Sequence, residues 1–103
     1  MVEIYDIELI ENAETGEKFF SYIGIDRDSD EIYQFYIYDT IEYLDEFRKH
    51  LRGLDGMIGF NCLNYDYPIL HIILTTKFNS LEHFFTLLLN KSYDIIENNA
   101  MAR

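Results

Sequence analysis

One cysteine, one proline, no tryptophan and only eight basic residues set the first limits on this 103-residue chain. A lone Cys62 excludes an internal disulfide. No Cys/His spacing offers a zinc site. The amino terminus carries Glu3 and Asp6 and lacks the basic stretch of a secretory signal. No apolar run approaches the ~18 residues needed to cross a bilayer; the stretch from Ile69 to Leu74 is short and contains His71. There is no Gly-rich phosphate loop and no Ser/His/Asp set. Nineteen acidic residues against eight basic ones give a net charge of −11. That balance opposes sequence-independent nucleic-acid binding, in which Lys and Arg neutralise phosphates. It equally opposes an anionic membrane surface. Two modes of contact remain: nucleic acid approached through bound metal, or a basic cleft on another protein occupied by an acidic one.

Apolar residues make up 49% of the chain, with nine Tyr and eight Phe, and they recur from end to end, which argues against disorder and predicts one domain, residues 1–103, with a modest core. Val2 to Leu9, Lys18 to Ile25 and Glu31 to Tyr38 have strand character. The polar connections between them, one with Thr15-Gly16 and one spanning Asp26 to Asp30, predict an antiparallel meander. Asp39 or Thr40 then caps a helix, Glu42 completing a capping box with Asp39. Ile41, Leu44, Phe47 or Arg48, and Leu51 keep helical spacing up to Gly53. Met57 to Phe60 is fully apolar and predicts a buried strand, parallel to an earlier one because a helix intervenes. Asn61 to Asn64 is a polar turn. A helix starts near Asn64 to Tyr67, with Pro68 in its first turn and an apolar, buried body. Asn79 with Glu82 caps a further helix through Leu89, and Ser92 to Asn98 continues it less regularly. The expected order is β-β-β-α-β-α-α, an α/β chain with a mixed, α+β-type sheet.

Two segments carry chemistry. On a strand, residues two apart share a face, so Asp6 and Glu8 point the same way, alongside Val2 and Ile4. Asp66 sits at the start of a helix, after Asn61. Separately each has an ordinary reading: a solvated strand end, a carboxylate stabilised by the helix macrodipole, and a turn residue. Jointly they could gather three carboxylates, the oxygen ligands that hard divalent cations take.

Asp6-Ile7-Glu8 followed by Gly59-Phe60-Asn61-Cys62-Leu63-Asn64-Tyr65-Asp66 resembles the first two motifs of the DEDD-type 3′–5′ exonucleases of the proofreading kind. The second motif looks especially like that of phage and viral members. The resemblance covers roughly residues 2 to 76. It implies a ribonuclease H-like fold and two-metal phosphodiester hydrolysis with Mg2+ or Mn2+. By that resemblance Asp6, Glu8 and Asp66 are catalytic metal ligands: Asp6 bridges both ions, Glu8 ligates the ion carrying the attacking water, and Asp66 holds the second. Asn61 orients the site or contacts the terminal nucleotide, and Tyr65 packs beneath the site or beside the substrate, a nucleic-acid 3′ end such as single-stranded DNA. Tyr22 and Phe20 are stacking candidates for which core packing is the better assignment. The expected location is the cytoplasm of a bacterial or phage-infected host cell.

The family's third motif, Tyr-x-x-x-Asp or His-x-x-x-x-Asp on a later helix, has no counterpart, so the resemblance implies a domain truncated before the last strand and helix of that fold. Tyr93-Asp94-Ile95-Ile96-Glu97 has the related spacing Tyr-x-x-x-Glu without a preceding strand, and His50, His71 and His83 do not fit. A complementing carboxy-terminal half or a homodimer would follow from such incompleteness. The alternative is a small acidic, phage-type inhibitor that imitates nucleic acid, with Asp26 to Glu31 and Glu42 to Glu46 as contact surfaces. A third is an α+β domain that self-associates through an open sheet edge.

Overall fold

The computed structural model describes residues 1–59 and 65–101, with side chains up to residue 98. Its elements are β1 (Val2–Glu11), β2 (Lys18–Asp26), β3 (Ile32–Ile37), α1 (Leu44–Arg52), β4 (Gly56–Gly59), α2 (Asp66–Thr75) and α3 (Leu81–Met101). This is the expected order. The strands form one mixed sheet, β3-β2-β1-β4, so the fold is α+β with a four-stranded sheet and three helices. The chain divides into two compact units, Met1–Phe60 and Asn61–Arg103. No helix among the described residues is long and apolar enough to cross a membrane.

The meander of the first unit is set by two side-chain-braced turns. Asn12 Oδ1 accepts the backbone N–H groups of Glu14 (2.9 Å) and Thr15 (3.2 Å), and Gly16 takes the positive φ of 75° that closes the turn. Glu11 thereby lies opposite Lys18, and the antiparallel register runs back to Glu3 opposite Asp26. At the second turn Asp26 Oδ1 accepts from the Asp28 N–H (3.0 Å) and Oδ2 from the Ser29 hydroxyl (3.0 Å), while Asp30 adopts φ 63°. The fourth strand joins β1 in parallel, Val2 opposite Gly56 and Tyr5 opposite Gly59.

One face of this sheet is the core of the first unit. Tyr5, Ile7, Phe20, Tyr22 and Ile37 are buried on it, and α1 lays Leu44, Phe47 and Leu51 against it. Phe47 lies 5.0 Å, ring centre to ring centre, from both Tyr22 and Phe35, and 5.8 Å from Phe20. In the second unit α2 and α3 pack together, with Ile69, Leu70 and Ile73 of α2 and Phe84, Phe85, Leu88 and Leu89 of α3 buried.

Three expectations are corrected. The first helix begins at Leu44, with Tyr43 as N-cap and no side-chain cap; Thr40 Oγ1 instead accepts the Glu42 N–H (3.2 Å) in a preceding turn, so the Asp39/Glu42 capping box does not start the helix. The short apolar strand is not buried: Met57 is 37% and Ile58 46% exposed, because β4 pairs only with β1 among the described residues. The last helix caps on Ser80, whose hydroxyl accepts the His83 N–H (3.1 Å). It then runs unbroken to Met101, since no Gly or Pro interrupts it. Residues 60–64, which carry the end of the apolar run and the polar turn, lie outside the described residues.

Candidate functional site

Period-two alternation divides β1 sharply. Glu3, Tyr5 and Ile7 face the core, whereas Val2 and Ile4 are half-buried and Asp6 and Glu8 are exposed on the opposite face. On that open face Ile4 is in register with Ile25 of β2 and Ile58 of β4, and Ile25 with Ile32 of β3. A row of four isoleucines therefore crosses the sheet. One step along β1 lies Asp6, opposite Ile23, and two steps along lies Glu8, opposite Ser21. The expected pairing of Asp6 with Glu8 on one strand face is present. Both side chains stand in solvent on the strand between β2 and β4.

The other expected site residues belong to the second unit. Asp66 is the first residue of α2 and is 4% exposed, its carboxylate within the first turn where the helix dipole favours negative charge. Tyr65 is the N-cap residue of α2, and its hydroxyl lies 2.8 Å from Ser92 Oγ on α3, tying the two helices together. Asn61 lies outside the described residues. Phe20 and Tyr22 are fully buried, so they are core residues and not stacking platforms. Tyr93 is 55% exposed on the continuous helix α3. Among the described residues no three His, Cys, Asp or Glu side chains are gathered as a metal site.

Sequence reasoning missed a second polar cluster, inside the core of the first unit. Glu3 is fully buried. Its Oε1 accepts the Tyr22 hydroxyl at 2.6 Å, and both carboxylate oxygens lie within 2.9 Å of His50 Nε2 from α1. Gly24 makes room for this carboxylate: a Cβ there would sit 2.0 Å from Glu3 Oε1. Burial, then the bond to Glu3 and its charge, push the Tyr22 phenol far above its ordinary range, so it stays protonated and donates. The His50 ring rests against Tyr33 (4.8 Å) and Phe35 (5.1 Å). The legible signal was the alternation itself, which places Glu3 on the face of Tyr5 and Ile7; the general exposure of acidic residues hid it.

No protein-family model, curated protein or solved structure matches this chain.

Proposed function

We propose that the chain is a metal-dependent 3′–5′ exonuclease-like domain with a ribonuclease H-like fold. The observation that carries this reading is the pair Asp6 and Glu8, exposed side by side on β1. The sheet order supports it: three antiparallel strands, then a helix and a fourth strand parallel to the first, followed in the chain by Asp66 at the start of α2. Carboxylate oxygens suit Mg2+ or Mn2+, and exposure leaves room for ions beside Asp6 and Glu8. Asp6 and Glu8 would hold such ions, and Asp66 is the further carboxylate that the motif resemblance assigns to them. Such ions lower the pKa of a bound water and stabilise charge on the attacking and leaving oxygens of a phosphodiester. In a chain of net charge −11 they would also neutralise the substrate's phosphates. Tyr65 and Asn61 are the residues assigned to the 3′ end of a single strand.

Mn2+ titration followed by NMR tests this, together with degradation of a labelled single-stranded DNA. Paramagnetic broadening centred on Asp6 and Glu8, abolished in Asp6→Asn/Glu8→Gln, is the expected result, with strand shortening from the 3′ end. No broadening at millimolar Mn2+ overturns the reading. The second reading, an acidic protein that occupies a basic cleft, draws on the exposed acids of the β2–β3 turn and of the first turn of α1, Asp45 and Glu46. It would survive that failure.

A further inference from the structure

The outer edge of β3 points to a second site, independent of the carboxylate pair. Natural sheets protect such edges with Lys, Pro, bulges or a covering element. This edge carries none of the first two: Ile32-Tyr33-Gln34-Phe35-Tyr36-Ile37 holds no charged residue and no proline. Among the described residues no strand pairs with its outer side. A recess of about 310 Å³ opens beside it, lined by Gln34, Phe35, Tyr36, Tyr43 and Glu46. Gln34 and Tyr36 alternate with Phe35 between the two faces of the strand. The recess therefore lies over the free edge itself, between β3 and the beginning of α1.

The surroundings of that edge select its occupant. Glu31 precedes the strand and Asp39 follows it, and Glu46 stands in the recess. The Tyr43 hydroxyl is raised above its ordinary range by its bond to Glu42 and by the charges of Glu42, Glu46 and Asp39, a measure of how negative this corner is. Two copies of so acidic an edge repel each other, whereas a cationic strand is attracted. Aromatic walls with a carboxylate match the stem and head of a Lys or Arg side chain.

We propose that β3 is a strand-addition site for an extended basic peptide, one Lys or Arg of which enters the recess formed by Tyr36, Tyr43 and Glu46. Backbone pairing along the edge supplies sequence-independent affinity, and the recess supplies selectivity at alternate side chains. Tyr43 and Glu46 lie outside the sheet core, so their replacement leaves the fold intact.

An acetylated, amidated Val-Thr-Val-Lys-Val-Thr-Val peptide, titrated into the isotope-labelled chain, tests the assignment. Amide shifts should move along Ile32 to Ile37 and at Tyr43 and Glu46. Glu46→Gln and Tyr43→Ala should each weaken binding about three- to tenfold. The same peptide N-methylated at alternate residues should fail to bind, since it cannot extend the sheet. Binding by a Glu-for-Lys peptide with equal strength, shifts confined to other surfaces, or absence of shifts at millimolar peptide overturns the proposal. Concentration-dependent broadening of β3 without peptide also overturns it, by making a second copy the occupant.

Discussion

At Glu3 a fully buried carboxylate meets one imidazole and one phenol. Removing one partner of a buried hydrogen-bonded set leaves the others unsatisfied, which costs more than replacing the whole set by apolar groups. His50→Leu should therefore lose about 1–3 kcal/mol in urea denaturation. The triple variant Glu3→Met/His50→Leu/Tyr22→Phe should recover most of that loss, and an equal loss in both variants would show that packing of the His50 ring, not its hydrogen bond to Glu3, is what matters. Gly24→Ala drives a methyl into the Glu3 carboxylate and should lose about 1–3 kcal/mol by the same measurement. Asp26 gives the pH dependence. The Asp28 N–H, then Ser29, hold its carboxyl below the ordinary range. A depressed carboxyl contributes stability above its unfolded value near ~4 and loses it as pH falls through the folded one. The difference in urea midpoint between the wild-type chain and Asp26→Ala should therefore narrow on acidification below about pH 4. A gap that stays constant from neutral pH to that range would assign the effect of Asp26 to turn geometry alone.

Elements were legible where local chemistry and tertiary context agree. The three-strand meander followed from alternating apolar residues around Thr15-Gly16 and the Asp26 to Asp30 turn, and each strand end lies within two residues of its expected place. Gly53 ended α1 as expected, by closing backbone bonds to Lys49 and His50. Legibility failed where two capping residues compete within a few positions, or where burial depends on a neighbour. Asp39, Thr40 and Ser80 all carry capping side chains, and only the hydrogen bonds show which are used. Met57 and Ile58 are as apolar as any core strand, yet their exposure follows from β4 lying outermost in the sheet. For the site, the shared face of Asp6 and Glu8 was readable from period two alone. The buried triad required knowing that α1 delivers His50 onto Glu3, a contact across 47 residues. Ser80→Ala should destabilise by about 0.5–2 kcal/mol, since the His83 N–H loses its acceptor. Asn79→Ala should change stability by less than about 0.5 kcal/mol, because only the Asn79 backbone N–H is engaged, with His83 Nδ1. Thermal or urea unfolding of the two variants checks the order, and the reverse order would restore Asn79 as the cap.

Over the whole molecule a charge of −11 on 103 residues sets two salt effects against each other. Self-repulsion weakens the folded state and is screened by any electrolyte, the Debye length shrinking from about 30 Å at 0.01 M to about 10 Å at 0.1 M. NaCl should therefore raise Tm without saturating at low concentration. An ion held by Asp6 and Glu8 acts differently, since it stabilises by mass action through the folded state alone. At tenfold its dissociation constant it adds about 1.4 kcal/mol. Mg2+ should then raise Tm beyond NaCl of matched ionic strength, and the excess should follow a binding curve. Asp6→Asn/Glu8→Gln removes two negative charges, so its baseline Tm rises through reduced repulsion. What must vanish in that variant is the Mg2+ excess, not the NaCl response. An excess that persists in the variant would place the ion elsewhere among the acidic residues. Superimposed Mg2+ and NaCl curves for the wild-type chain would leave Asp6 and Glu8 as solvated strand residues, and the exonuclease reading would fall with them.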